Sequence, residues 1–299
     1  MTQTVTLEPT VSANELYAVF VQCPLCRSPD YQLLFAHTEC GNVIHYTHCQ
    51  LKFTRSRGTA SLPELRQQHP TPLSDMILKK PDSQFDDFVD VLNRIKRYRA
   101  SGKLLELRCL TGHFLALSRK SGYEGIGIEP DSWAAAYARR EFGLSVHETL
   151  VLELHIDDRT FDVIAMFHVT EHFTRPMATL LDLRRILKDK GLPAIEIPII
   201  DTLYSMIMGQ RHRHFVFDHT LFLSRKMAAE FLHKPGFEIV HAELSSRHIR
   251  LERIARVLRK RNKSFGRLLE SAFKALHIQK RTVHVNVRDN YRNYCRKAS

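Results

Sequence analysis

The sequence predicts an α/β domain whose mostly parallel, twisted sheet carries helices on both faces, with a small cysteine-bearing segment ahead of it. Three observations predict this. From residue 103 onward, short apolar runs alternate with stretches of helical periodicity. The apolar runs are near-continuous rather than alternating, the pattern of strands buried on both faces. Four of the six cysteines, Cys23, Cys26, Cys40 and Cys49, fall in the first 49 residues and open with a C-x-x-C pair.

The first strand of the predicted sheet is Lys103–Leu107, followed by a helix over Phe114–Lys120 that ends at Gly122. Glu124–Ile128 is the next strand. Ser132–Phe142 is an Ala-rich helix, with Asp131 or Ser132 as its N-cap and Gly143 beyond its end. Phe161–Phe167 is a strong strand, and Pro176–Lys188 a helix with Leu180, Leu183 and Leu187 on one stripe. Leu192–Ile200 is a further apolar strand; Pro193, with no N–H for the ladder, is expected at its start. A helix over Arg225–His233 and a strand over Phe237–Leu244 follow. Beyond them come two amphipathic helices, one with Leu251, Ile254 and Leu258, the other with Phe265, Leu268, Leu269, Ala272, Phe273 and Leu276. Thr282–Val287 alternates like a strand, and Asn290–Cys295 is expected to return antiparallel to it.

Ahead of residue 100, residues 1–20 read as a tail and 21–54 as short strands around the cysteines, Tyr31–Phe35 and Gln50–Thr54. Residues 55–100 read as a helical connector whose best helix is Phe85–Tyr98. The α/β core is placed over 101–245, with 246–299 as a basic helical segment and strands that complete it.

The chain of 299 residues, 43% hydrophobic and 25% charged, is long enough to bury a core without staples. No run of 18 apolar residues exists, so no transmembrane helix is expected. Met1–Glu15 lacks a basic region followed by an apolar one, so a cytoplasmic protein is expected rather than a secreted one. The net charge of +12 is concentrated: Ser246–Ser299 holds 16 Lys/Arg against 3 Asp/Glu, leaving 28 against 29 elsewhere. Apolar residues interleave there at helical spacing, which favours a solvated helical face over a nucleic-acid surface.

In open α/β sheets, ligands sit beyond the carboxyl ends of the strands. Four segments there carry the chemistry. LLELRCLTGHFL, 104–115, leads from the first strand into the first helix. GIGIEPD, 125–131, ends the second strand on Glu129, 23 residues after Glu106; an acid at that tip can accept two hydrogen bonds from a ribose diol. FDVIAMFHVTEH, 161–172, ends a strand at His168, four residues before His172, a spacing that suggests metal or acid–base work. RHRHFVFDHTLFLS, 211–224, brings His219.

Together these segments resemble class I S-adenosylmethionine-dependent methyltransferases of the Methyltransf_23-like subgroup, with quality varying across about Cys23 to Lys297. The family's loop is an acid followed by G-x-G-x-G. Here Glu106 matches the acid, while Arg108, Leu110 and Gly112 stand at the glycine positions. Glycine there lets the chain turn at positive φ and approach the cofactor; Leu at positive φ costs about 1–2 kcal/mol. The run FDVI…HVTEH…P resembles the fourth strand of the fold, and LRRILKDKGLPAIEIP, 183–198, its fifth. The resemblance implies S-adenosylmethionine framed by Glu106, Arg108 and Gly112, its ribose on Glu129 with Pro130 starting the turn, and Phe167 and His168 lining the reacting side. It implies a small-molecule or carrier-bound methyl acceptor, with His168 or His219 as proton acceptor. The substituted loop keeps open the alternative of a catalytically silent, methyltransferase-like binding protein.

CPLC, 23–26, is a metal-type knuckle whose two thiolates need a second pair. Cys49 matches one member of that pair, and Tyr46 stands where the other would be. The segment resembles a degenerate zinc ribbon, expected either to hold zinc on Cys23, Cys26, Cys49 and a further ligand from His45, His48 or Cys40, or to be its metal-free remnant.

Overall fold

The computed structural model describes residues 22–37, 41–55, 83–150, 155–173, 175–216, 219–245, 247–285 and 288–298. The expected tail, most of the connector and Cys40 lie outside them. The strands are β1 Tyr31–His37, β2 Gly41–Tyr46, β3 Lys52–Arg55, β4 Gly102–Leu107, β5 Tyr123–Ile128, β6 Ser145–His147, β7 Phe161–Phe167, β8 Leu187–Pro198, β9 Leu221–Phe222, β10 Phe237–Leu244, β11 Arg247–Arg250, β12 Thr282–Val285 and β13 Asn290–Lys297. The helices are α1 Ser83–Lys96, α2 His113–Lys120, α3 Ser132–Phe142, α4 Pro176–Ile186, α5 Leu203–Met208, α6 Arg225–His233, α7 Leu251–Arg261 and α8 Lys263–Ala275.

A seven-stranded sheet in the order β10-β13-β8-β7-β4-β5-β6 forms the centre. Strands β6, β5, β4, β7 and β8 run parallel, and β13 is antiparallel to both β8 and β10. The chain leaves β4 toward one edge and returns at β7 toward the other. The tips of β4 and β7 therefore flank the switch point where such sheets bind ligands.

Successive residues of the inner strands feed opposite faces. Leu105, Leu107, Met166, Ile195 and Ile197 pack with Leu180 and Leu183 of α4 and Phe231 of α6. Leu104, Val163, Ala165 and Ala194 pack with Val91 and Ile95 of α1, Phe114 and Leu115 of α2 and Ala138 of α3. Burying each of the larger side chains contributes about 1.5–3 kcal/mol. Local caps agree with this packing: Asp131 accepts from Ala134 N at the start of α3, and Gly143 closes it at φ 59°.

Two expectations are corrected. Asn290–Cys295 does not pair with Thr282–Val285. β12 pairs with β11, and β13 inserts between β8 and β10. Its partners lie about 50 to 100 residues away in the chain, which local alternation cannot report. Pro193 lies inside β8 rather than at its start, opposite Ile164 of β7. The ladder between β8 and β13 runs only from Ala194 to Pro198, so Pro193 stands outside it.

The cysteine segment forms a second sheet, β1-β2-β3-β9. β9 comes from the main domain and pairs Leu221 with Phe53. Thr54 Oγ1 donates to His219 O at 3.1 Å, and Lys234 Nζ donates to Leu25 O. Leu25, Tyr46, Leu51 and Phe53 share one core with Met227 and Phe231.

Insertion of β13 buries a charge pair. Arg292 Nη2 stands 2.6 Å from Glu196 Oε2, and its Nε donates to the same oxygen at 2.8 Å. Breaking a buried pair from one side strands the other charge. Arg292→Met is expected to lower unfolding free energy by about 3–5 kcal/mol in a urea titration, and the double variant with Glu196→Gln to recover part of that loss.

Candidate functional site

The turn after β4 keeps a glycine-type backbone without the glycines. Arg108 and Leu110 both adopt φ 50°, and Gly112 φ 75°. The two side chains cost about 1–2 kcal/mol each in that region. Glu129 holds the turn: its Oε2 accepts from Leu110 N at 2.9 Å, and its Oε1 from Asp131 N across Pro130 at 2.9 Å. Glu129 is completely buried. Gly112 serves packing, since a Cβ there would meet Leu144 Cδ1 at 2.5 Å and Ala138 Cβ at 2.9 Å.

Glu106, at the end of β4, is 4% exposed. Burial, and then the neighbouring Glu129, push its carboxyl well above the usual range. Its Oε2 is buried and accepts no hydrogen bond. A buried acceptor left open at a strand tip is the chemistry that an ammonium group satisfies. The methionine end of S-adenosylmethionine therefore fits this donor set. Each Glu129 oxygen accepts one backbone amide, from Leu110 and from Asp131.

The tip of β7 gathers the histidines. Phe167 packs edge-on to Phe114, with ring centroids 4.8 Å apart. His168 follows at φ 58°, a strained position of the kind that clusters at functional sites. Its Nε2 lies 3.2 Å from Glu196 Oε1 and its Nδ1 3.5 Å from Glu171 Oε1. Burial disfavours the imidazolium, but the two carboxylates outweigh it and raise the His168 pKa. Burial likewise opposes ionisation of Glu171, yet His168, His172 and His219 hold its carboxyl down at about 2. Glu196 is held low, against its burial, by Arg292 and His168. Behind this group, His214 is pressed down to about 4 by burial and by Arg213 and His168. His214 Nε2 stands 3.5 Å from Asp289 Oδ2, which Arg213 Nε meets at 2.6 Å. His219 Nε2 lies 3.9 Å from Glu171 Oε1.

Two carboxylates beside the histidines, Glu196 and Asp289, are not among the residues the sequence singles out. Glu196 has a usable signal, a lone acid in the otherwise apolar run AIEIP. Asp289 has none.

Cys23, Cys26 and Cys49 bring their sulfurs within 4.8 Å of one another, with Cys23 Sγ and Cys49 Sγ at 3.4 Å. Two equivalent knuckles present them. In one, Arg27 N donates to Cys23 O and Cys23 N to Ser28 O; in the other, Gln50 N donates to Tyr46 O and Tyr46 N to Leu51 O. Arg27 and Gln50 are both left-handed, at φ 62° and 64°. Tyr46 thus stands where the second knuckle would carry a thiol. Burial, then the three thiols, push its phenol up to about 12. His45 is engaged by Gln50 and Gln32 at 3.3 and 3.1 Å, and His48 is exposed; neither joins the thiols.

The profile of the methyltransferase-domain family matches residues 82–242. Among solved structures, the chain resembles one from the Haloferax volcanii complex of the Trm112 methyltransferase activator with a methyltransferase. That match has 15% identity, covers 73% of this chain and 91% of that one, and has a TM-score of 0.53. The YcgJ protein of Bacillus subtilis matches at 13% identity, 72% and 99% coverage and TM-score 0.50. A SAM-dependent methyltransferase of Archaeoglobus fulgidus matches at 19%, 70% and 94%, with TM-score 0.47. None of the curated proteins matches the chain.

The His168 arrangement has a definite pH signature. Its folded pKa is raised above 6.5, so its stabilisation is fully present below that value and is lost as pH rises through the raised one. Glu171, depressed to about 2, contributes above the ordinary carboxylate range and is lost as pH falls toward its folded value. Imidazole NMR should show His168 titrating above 6.5, and Glu196→Gln should bring its midpoint down. An unchanged midpoint in that variant would refute the pairing.

Proposed function

The chain belongs to the methyltransferase-domain family, and from that premise we propose that it transfers a methyl group from S-adenosylmethionine to a small-molecule or carrier-bound acceptor. The observation that carries this reading is the turn of residues 108–112. It retains left-handed backbone at all three glycine positions although two of them bear side chains. A conformation that costs free energy persists where the surrounding structure enforces it, and such strain collects at ligand sites.

When bound, the cofactor supplies an activated sulfonium methyl, so the protein's work is orientation, exclusion of water and proton management. Glu106 would receive the amino group of the methionine end, and Arg108 its carboxylate. Glu129 and Pro130 would border the ribose, with Glu129 also anchoring the turn through Leu110 N. Gly112 would keep α2 close enough to α3 for the cleft to hold its shape. Phe167 would cover the reacting side with an apolar face. A hydroxyl or amine acceptor would give its proton to His168 or His219, the imidazoles beside Glu171. Complete burial of Glu129 is the feature that favours the second reading, a silent binding protein.

We place a structural cation, zinc by its ligands, on Cys23, Cys26 and Cys49, with water or the Tyr46 phenol completing the set. There it would brace the sheet that docks through β9.

Calorimetry separates the two functional readings. The natural chain is expected to bind S-adenosylmethionine, and the Arg108→Gly, Leu110→Gly double variant to bind at least about tenfold tighter, 1.4 kcal/mol. No binding by either protein at millimolar cofactor would favour the silent module. Metal analysis should find that Cys26→Ser loses one equivalent of zinc per chain, together with a lower melting temperature; an unchanged zinc content would overturn the thiolate site.

A further inference from the structure

The turn after β7 assembles a second set of metal-type ligands, separate from the thiols. Glu171, His172 and His219 each offer one atom, and the three lie within 4.8 Å of one another. Glu171 is 1% exposed, and its Oε1 is buried and accepts no hydrogen bond. The rings of His172 and His219 stand edge to face, centroids 4.8 Å apart.

The set is held from both sides. Glu171 and His172 share the 3₁₀ turn Thr170–His172, which packs beside β9. Thr220, next to His219, donates its N–H to Glu171 O at 2.7 Å and its hydroxyl to the same oxygen at 3.0 Å. Thr54 fixes His219 through its carbonyl at 3.1 Å. Two imidazoles and one carboxylate on a braced frame suit a divalent first-row transition ion and leave coordination positions open.

We propose that Glu171, His172 and His219 hold one divalent transition-metal ion at the acceptor side of the cleft. Its open positions take an oxygen donor of the methyl acceptor: a hydroxyl, an enol or a carboxylate. Bonds of about 2.0–2.2 Å draw the three atoms together by small side-chain rotations. His168 Nδ1 stands 3.5 Å from Glu171 Oε1, beside the ligands and outside the set. The substrate assignment rests on the methyltransferase reading; the metal site does not.

The test uses the full chain without a histidine tag, loaded with cobalt(II) and desalted. The expected result is cobalt in two environments, one with thiolate charge-transfer absorption and one with only the weaker bands of nitrogen and oxygen ligands. One equivalent should be lost, together with the second set of bands, in His172→Ala and in His219→Gln. The charge-transfer absorption should persist in both variants, which also reports that they are folded. Cobalt content and spectra unchanged by both substitutions would overturn the site. So would a natural chain that retains only thiolate-bound cobalt. Calorimetry with S-adenosylmethionine on the same samples keeps the two claims apart. Cofactor binding without the second cobalt sinks this inference alone, whereas the second cobalt without cofactor binding sinks the enzymatic reading and leaves the metal site standing.

Discussion

The carboxylate of Glu196 joins the fold to its site. It stands in the middle strand of the β7-β8-β13 triplet, fully paired on one side by Arg292 and facing His168 on the other. A charge in that position is tolerable only because both partners are present. Arg292 arrives with the last strand of the chain and His168 with the strained end of β7. Closing the sheet and charging the site are therefore one event. The histidine cluster inherits its polarity from this carboxylate and from Glu171, and the neutral His214 lies behind them.

A different logic governs the other half of the cleft. Around the β4 turn the backbone has been kept and the side chains have changed. Leu110 contributes its amide to Glu129, as any residue would, and bears its side chain at positive φ regardless. The turn depends on Glu129, the packing of α2 on α3 depends on Gly112, and Cys109 and Leu115 approach Gly127 so closely that they leave no room for a Cβ there. Side chains at two of its three positive-φ positions leave the turn's backbone conformation in place.

The small cysteine sheet is part of the same apparatus. Through β3 and β9 it holds the segment that carries His219, and Thr54 bonds directly to that residue's carbonyl. The spacing of β9 from the thiol cluster is set by the shared core of Leu25, Leu51, Phe53 and Met227. Whatever stiffens the knuckles stiffens the strand beside His219.

The sequence by itself determined the α/β architecture, the strands β4, β5, β7 and β8, the helices between them and the positions of Glu106, Glu129, His168 and the three thiols, because each depends on periodicity, caps or spacing within a few residues; the three-residue β6 is too short to leave such a pattern. Tertiary structure alone decided that β13 enters between β8 and β10, that Pro193 sits inside a strand and that Glu196 and Asp289 belong to the histidine cluster. Those outcomes come from pairings between residues about 30 to about 100 positions apart. No local pattern encodes such contacts; they form when sheet closure makes an uncompensated buried charge too costly to leave alone.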